Sequence, residues 1–88
     1  MNNAIGLIEV IGTNPAVRAT DAMCKAAAVT LLDRIEIGSG YVTIVIKGDV
    51  GSVKAAVDAG AEAAGEAGEL IAAHVIPQPH EDLVSALL

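Results

Sequence analysis

The chain has 88 residues, a formal net charge of −6 and a sequence pI of about 4.5. This length fits a single domain spanning residues 1–88, and five basic residues are too few for a nucleic-acid partner. No apolar run approaches the roughly 18 residues of a membrane helix, and the N-terminus lacks a signal-peptide pattern, so we expect a cytoplasmic protein with no membrane partner.

Apolar residues make up 53% of the chain, although it has no Phe, no Trp and one Tyr. The hydrophobic surface therefore comes from Ala, Val, Ile and Leu, and it exceeds what so small a domain buries internally. We expect neighbouring subunits to cover part of it. The single cysteine, Cys24, fits a reducing compartment and is interpreted as a small packed hydrophobic side chain.

The first predicted elements are a strand over residues 4–11 and a helix over residues 15–28. Apolar residues on both faces of the strand indicate burial on both sides. Asn14 is the expected helix cap, and Pro15 is expected at the first helical position, where its missing N–H does no harm.

Two strands follow, over residues 29–35 and 41–46, joined by residues 36–40. The second strand alternates cleanly between apolar and mixed positions. Its even-numbered residues are expected to face the helices, and its odd-numbered residues, such as Val45, to face outward or toward a partner.

A second helix over residues 50–68 is expected to be capped by Asp49, with an inner stripe of mostly small residues that begins at Val50. A fourth strand is expected over residues 70–76, and a short terminal helix is expected over residues 83–88. The order is that of the split βαβ, ferredoxin-like pattern. It predicts an α/β (α+β) fold with a four-stranded antiparallel sheet and two helices on one face.

The sequence lacks the patterns of a catalytic or metal site. His74 lies within a predicted strand, where a hydrogen-bonded structural role is favoured over a general base. His80 does not follow it at metal-pair spacing. Ser39 joins two strands, whereas a nucleophile elbow joins a strand to a helix. We therefore expect no enzyme activity, no metal and no cofactor.

The stretch Ile37-Gly38-Ser39-Gly40 has two glycines where a tight turn often needs one at positive φ. Two interpretations stay open from this tetrapeptide alone. One is a flexible turn. The other is a backbone held close to another molecule, with peptide N–H groups and the Ser39 hydroxyl as polar contacts.

A series of short blocks runs along nearly the whole chain. They are Ala4-Ile5-Gly6-Leu7-Ile8-Glu9, Asp21-Ala22-Met23, Lys25-Ala26-Ala27, Ile37-Gly38-Ser39-Gly40, Gly48-Asp49-Val50, Val53-Lys54-Ala55-Ala56, Asp58-Ala59-Gly60, Gly68-Glu69-Leu70 and His74-Val75-Ile76-Pro77. In this order they resemble the hexamer-forming, single-domain shell proteins of bacterial microcompartments, found in carboxysomes and in propanediol- and ethanolamine-utilising organelles.

The resemblance implies a structural subunit of which six copies form a flat disc, with discs tiling into a semi-permeable wall around enzymes. By position, Gly38, Ser39 and Gly40 would ring a central pore for small polar metabolites. Glu36 would lie near the pore rim, where a Lys is common in the family. Six carboxylates there would make the mouth negative and disfavour anions.

The resemblance also implies an edge between discs, formed by Lys25, Ala28, Gln78 and His80. Gln78 stands where Arg is frequent in the family and Ala28 where Asn is frequent. Because Gln cannot make the forked contacts of a guanidinium, we expect weaker tiling with the hexamer intact. The implied partners are further copies of the chain, other shell proteins and the encapsulated enzymes.

An alternative from a different functional class is a small-molecule-sensing regulatory module on a ferredoxin-like oligomer, since fold alone does not separate the two. An RNA-recognition domain with the same strand order is excluded by the acidic charge and the lack of stacking aromatic side chains.

Overall fold

A computed structural model describes residues 3–77. The strands are β1 (Asn3–Ile11), β2 (Thr30–Glu36), β3 (Tyr41–Asp49) and β4 (Glu69–Ile76), and the helices are α1 (Thr13–Ala26) and α2 (Val50–Ala67). Gln78, His80 and the predicted terminal helix over residues 83–88 lie outside the described part of the chain.

The four strands form one antiparallel sheet in the order β2-β3-β1-β4. The pairing of β1 with β3 runs without interruption from Asn3 opposite Asp49 to Ile11 opposite Tyr41. Each crossover helix therefore skips one strand, which confirms the predicted split βαβ architecture.

The core lies between the two central strands and the two helices. Even-numbered residues of β1 and β3 point into it, because successive side chains alternate between the faces of a sheet. Its fully or almost fully buried members are Ala4, Ile8, Val10, Ala16, Ala19, Met23, Val42, Ile44, Ile46, Val53, Ala56, Val57 and Ala64. This set confirms the expected inward direction of the even-numbered residues of β3.

Small residues bring the layers close together. A Cβ built on Gly60 of α2 would lie 2.6 Å from both Met23 Cγ and Ile8 Cδ1. On the sheet side, a Cβ on Gly6 would lie 2.7 Å from Val57 Cγ2. Neither position has room for a side chain, so these two glycines set the distance between the helices and the sheet.

The opposite face of the sheet carries two further buried side chains. Ile5 is 2% exposed and Val45 is 0% exposed, although both have odd numbers and point away from the core. Burial on both sides of β1 is confirmed. Val45 lies on the face away from the helices, as expected, but its side chain is buried within the single chain.

The start of α1 differs from the prediction. The helix begins at Thr13 with Gly12 as its N-cap, at φ 103°, and no side chain caps it. Gly12 takes up a conformation that favours glycine and turns the chain directly out of β1. The predicted cap Asn14 is therefore inside the first turn, and Pro15 is the third helical residue. The helix ends at Ala26, two residues before the expected end.

The start of α2 matches the prediction. The Asp49 Oδ1 atom accepts a 2.9 Å hydrogen bond from the Ser52 amide, and Oδ2 accepts a 2.8 Å bond from the Ser52 hydroxyl. These bonds, the backbone one first, lower the pKa of Asp49 below its usual 3.8 because they favour the carboxylate. The predicted start of the inner stripe of α2 is wrong, because Val50 is 37% exposed. Ala56 is buried and belongs to the inner face of the helix.

Candidate functional site

The glycine stretch forms a tight turn between β2 and β3. The Gly40 amide donates a 3.1 Å hydrogen bond to the Ile37 carbonyl, and the Ile37 amide donates a 3.0 Å bond to the Tyr41 carbonyl. Gly40 has φ 85°, while Gly38 has no positive φ. The turn itself therefore requires glycine at one of the two positions.

The loop is tied to the neighbouring strand end. The Gly12 amide donates a 2.9 Å hydrogen bond to the Gly40 carbonyl. This bond links the turn to the junction of β1 and α1, so the loop is held against the sheet. A flexible turn, the first of the two interpretations of this stretch, lacks such an anchor.

The tip of the loop projects away from the rest of the chain. All of residues 37–40 are exposed. A Cβ built on Gly38 or on Gly40 meets no atom of residues 3–77 within 4 Å. Backbone conformation explains Gly40, but neither conformation nor space within the chain explains Gly38. The described part of the chain therefore does not require glycine at position 38.

Glu36 is the last residue of β2 and lies directly before the loop. Its side chain is 61% exposed, and Oε1 lies 3.4 Å from Nη2 of Arg34, whose side chain is 38% exposed. Sequence reasoning missed Arg34. The signal was available, because residues two apart on a strand share a face. The positive charge of Arg34 therefore offsets part of the negative charge that Glu36 was predicted to place near the loop.

Apolar side chains are exposed around the same end of the sheet. The register places Tyr41 opposite Ile11 and Ile11 opposite Glu69, so the start of β4 lies beside the loop. The exposed large residues of this end are Ile35, Ile37, Tyr41, Leu70 and Ile71, with exposures between 36% and 58%. An apolar rim of this kind indicates a protein contact surface.

Two of the four predicted edge residues, Lys25 and Ala28, lie at the other end of the molecule. Lys25 is in the last turn of α1, where Nζ lies 3.0 Å from Asp21 Oδ2 and its side chain is 77% exposed. Ala28 is exposed and its carbonyl oxygen lies 3.2 Å from a Cβ built on Gly48, at the far end of β3. Nine residues of β3 separate this end from the loop, a distance of roughly 27 Å.

Two further sequence predictions are wrong for the single chain. Cys24 is exposed and lies beside a groove between α1 and β2 instead of packing inside. His74 is exposed on the face away from the helices, and its ring makes no hydrogen bond with residues 3–77. Both were judged from apolar neighbours in sequence, but both lie on outer parts of a thin fold.

The described part of the chain holds no group of three or more His, Cys, Asp and Glu side chains that could bind a metal ion. Neither α1 nor α2 is long and apolar enough to cross a membrane.

Comparison with known proteins places this geometry in a family. A family model described as the BMC domain matches residues 4–79. The bacterial microcompartment shell protein PduA of Citrobacter freundii is 52% identical over 84 residues, covering 96% of this chain and 90% of the relative. The carboxysome shell protein CsoS1 of Prochlorococcus marinus is 49% identical over 88 residues, covering 99% of this chain and 85% of the relative.

A solved structure has the same fold. The crystal structure of a microcompartment protein from Desulfitobacterium hafniense superposes with a TM-score of 0.86 at 32% sequence identity. The match covers 99% of this chain and 47% of the other, so this chain spans about half the length of that protein.

Proposed function

This chain belongs to the BMC-domain family of bacterial microcompartment shell proteins, and we propose that six copies of it form a ring whose central pore is bounded by the loop 37–40. The rings join edge to edge into the semi-permeable wall of a microcompartment in the cytoplasm. The role is structural and not enzymatic: the subunit encloses enzymes and lets small polar metabolites pass.

The observation that carries this proposal is Gly38. Its φ is not positive, and a Cβ there would meet no atom of the described residues within 4 Å, so neither backbone conformation nor crowding among those residues requires glycine. Six loops that meet at one axis give a reason for glycine, because a Cβ on each would narrow the opening. The hydrogen bond from the Gly12 amide to the Gly40 carbonyl holds each loop in a fixed position relative to the sheet of its own subunit.

The apolar rim around the loop supports the same arrangement. Ile37 is 58% exposed and Tyr41 is 37% exposed, which is costly for residues that face only water. In a ring, the subunits contact one another near the axis and cover these side chains. Ser39 at the tip stays in contact with water.

The pore presents small polar groups to a passing solute. Six Ser39 hydroxyls and exposed backbone N–H groups offer hydrogen bonds without a fixed charge. Glu36 adds a carboxylate near the rim, and Arg34 offsets part of it through the 3.4 Å contact. Neutral polar metabolites are therefore favoured over anions.

The opposite end of the chain forms the outer edge of the ring. Lys25 extends from the last turn of α1, and Ala28 follows in the link to β2. Ile76 pairs with Ile5 near the start of β1, so β4 ends at this side of the molecule, and Gln78 and His80 follow it in the sequence. We assign these four edge positions to contacts with further rings and with other shell proteins.

Electron microscopy of the purified protein tests the proposal. The expected result is six-fold rings that extend into sheets or tubes. A heavy-atom maleimide on Ser39→Cys, in a Cys24→Ser background, should add density at the axis, whereas the same label on Lys54→Cys should add density away from it. A stable monomer at high concentration, or a small oligomer whose Tm shifts with an added metabolite, would overturn the proposal in favour of the sensor.

A further inference from the structure

A pocket lies on the face of the sheet that points away from the helices. It has a volume of about 280 Å³ and is lined by Leu7, Glu9, Ile35, Thr43, Ala72 and His74. Every strand of the sheet contributes at least one of these side chains. The volume is close to the lower end of the range typical of ligand pockets, so the pocket has room for one small molecule.

The strand register explains why these side chains lie together. One row of paired residues crosses the whole sheet from β2 to β4 and consists of Ile35, Thr43, Glu9 and Ala72. In the row beside it, Leu7 pairs with His74. Residues two apart on a strand share a face, so both rows point to the same side of the sheet.

Glu9 lies near the middle of the pocket, on the central strand β1, and is half-buried. Its carboxylate forms no hydrogen bond and no ion pair with any of residues 3–77, His74 included. Partial burial removes some of the water that would hydrate this charge. A bound group that carries positive charge and donates hydrogen bonds therefore supplies a contact that these residues do not.

Further carboxylates flank the pocket on the same face of the sheet. Asp33 lies on β2, two residues before Ile35. Glu69 pairs with Ile11, which lies two residues after Glu9 on β1. Negative charge at and beside the pocket attracts cations and repels anions.

The strands β2 and β3 each carry one cationic residue, and neither of these residues lines the pocket. Lys47 is on the same face but lies four residues after Thr43, roughly 13 Å along β3. Arg34 pairs with the core residue Ile44, so it points to the helix side, where it contacts Glu36. The described residues that line the pocket therefore include no Lys or Arg that could neutralise its carboxylate.

The rest of the pocket is apolar, apart from two side chains that can form hydrogen bonds. Leu7, Ile35 and Ala72 provide the apolar walls. The Thr43 hydroxyl and a ring nitrogen of neutral His74 can each accept a hydrogen bond. Together with the carboxylate, they match the N–H donors of a primary ammonium group.

We propose that this pocket binds a small primary organic ammonium ion. The charged end of the ion lies at Glu9, and its short apolar body lies against the apolar walls of the pocket. An anion is repelled by the carboxylate, and a neutral alcohol of the same length keeps the apolar contact but loses the attraction between charges. One subunit supplies the whole site, so binding is a property of the subunit in addition to ring formation.

The pocket lies close to the loop 37–40. Thr43 is two residues from Tyr41, where β3 begins, and this is a distance of roughly 7 Å along the strand. In the proposed ring, six such sites therefore surround the pore on one side and hold cations beside its opening. This consequence rests on the proposed ring, whereas the binding itself does not.

Saturation-transfer NMR tests the site with butylammonium, 1-butanol and butyrate, which have similar apolar bodies and different charges. The assembled protein is used at pH 8, where imidazole groups are neutral. We expect butylammonium to bind with a Kd of about 1–10 mM, butanol to bind roughly fivefold more weakly, and butyrate to bind more weakly still. Equal binding of the ammonium ion and the alcohol would overturn the proposal, as would the absence of butylammonium binding up to about 50 mM.

Glu9→Gln tests the carboxylate, because it keeps the size of the side chain and removes its charge. The Kd of butylammonium should rise roughly fivefold, and the Kd of butanol should stay unchanged. The matched control Glu62→Gln changes the net charge equally at an exposed position of α2 and should leave both values unchanged. An equal loss of butylammonium binding in the two variants would show that the overall acidity of the chain attracts the ion, which overturns the site.

Ala72→Leu tests the position of the apolar body, because the larger side chain fills part of the pocket. Butylammonium and butanol should both bind more weakly, whereas Ala55→Leu, at an exposed position of α2, should leave both unchanged. Circular dichroism checks that each variant is folded, and Ala72→Leu decides the question if Glu9→Gln does not fold. Unchanged binding in folded Ala72→Leu would overturn the site. An unaltered chain that forms rings but does not bind butylammonium would refute this inference alone.

Discussion

The amide of Gly12 donates a 2.9 Å hydrogen bond to the carbonyl of Gly40, and both glycines have positive φ, 103° and 85°. Gly12 turns the chain from β1 into α1, and Gly40 turns it from the loop into β3. The bond therefore joins two turns that each require the left-handed region of backbone space. The position of the loop relative to the sheet depends on both.

Substitution of the two loop glycines should have opposite consequences. Gly40→Ala should lower the free energy of unfolding by about 1–2 kcal/mol, because a Cβ disfavours positive φ. Gly38→Ala should leave stability within about 0.5 kcal/mol, because it is exposed and has no positive φ. It should nevertheless slow solute passage through assembled shells. Urea denaturation measures the free energy of unfolding of both variants. An equal loss of stability in Gly38→Ala and Gly40→Ala would contradict the prediction.

Two glycines of α2 form a second matched pair. Gly60→Ala should destabilise the protein by about 1–2 kcal/mol, because the new methyl would lie 2.6 Å from Met23 Cγ and Ile8 Cδ1. A methyl group on Gly65 would meet no atom of the described residues within 4 Å, so Gly65→Ala should stabilise the protein by up to about 1 kcal/mol through helix propensity. Thermal unfolding of both variants shows whether each substitution raises or lowers the stability of the protein. A stabilising Gly60→Ala would show that the two layers have spare room.

At the outer edge, Lys25→Ala should abolish extended sheets and leave the six-chain ring intact. The Lys25 side chain is 77% exposed, and among residues 3–77 its one ion-pair partner is Asp21, at 3.0 Å. Asp21→Ala is the control, because it removes the ion pair, worth about 0.3–0.5 kcal/mol, and keeps the lysine. Electron microscopy should show sheets for the control and separate rings for Lys25→Ala.

Gln78→Arg tests the same edge through an expected increase in sheet assembly. A guanidinium there restores forked hydrogen bonding, so larger sheets are expected at equal protein concentration. An unchanged extent of sheets would show that position 78 does not limit tiling.

The charge near the pore should control which solutes pass. Glu36→Gln removes six negative charges from the rim and should raise the passage of anions several-fold relative to a neutral solute of similar size. Arg34→Gln should lower the passage of anions, because the negative charge of Glu36 then loses its positive partner. Uptake of charged and neutral dyes by assembled shells measures both. Unaltered shells that admit anions faster than neutral solutes would contradict the prediction.

The cap of α2 predicts a pH dependence. Hydrogen bonds from Ser52 lower the pKa of Asp49 below 3.8, so its stabilising contribution is full above that value and is lost as pH falls through the lowered pKa. Asp49→Asn keeps a side-chain acceptor without the charge. Its Tm should be lower than that of the unaltered chain at neutral pH, and the gap should close well below pH 3.8. A gap that is constant across pH would exclude the charge as its cause.

Periodicity was sufficient to predict the four strands, the two described helices, their order and most of the core. Alternation in β3 identified the side chains that face the helices, and the Asp49 cap followed from its place before an apolar run. The cap of α1 was mispredicted, because Asn14-Pro15 is a frequent start signal. Gly12 at positive φ begins the helix earlier, and φ is not visible in a sequence.

The site was predicted less completely, for reasons of geometry. The two loop glycines are equivalent in sequence, yet only Gly40 is required by the turn. Arg34 was overlooked although its spacing from Glu36 was visible, because residues two apart on a strand share a face. Cys24 has mostly apolar neighbours in sequence, but α1 leaves the outer strand uncovered beside it. Side chains at the margins of a thin fold are the ones that local pattern describes least well.

The length of β3 separates the loop from the outer edge by roughly 27 Å. Substitutions at one end therefore leave the other unaffected, since charges this far apart are screened at physiological salt. Duplicated genes could therefore diverge in the permeability of the pore and keep the same contacts at the outer edge. One shell could then combine rings that have different pores.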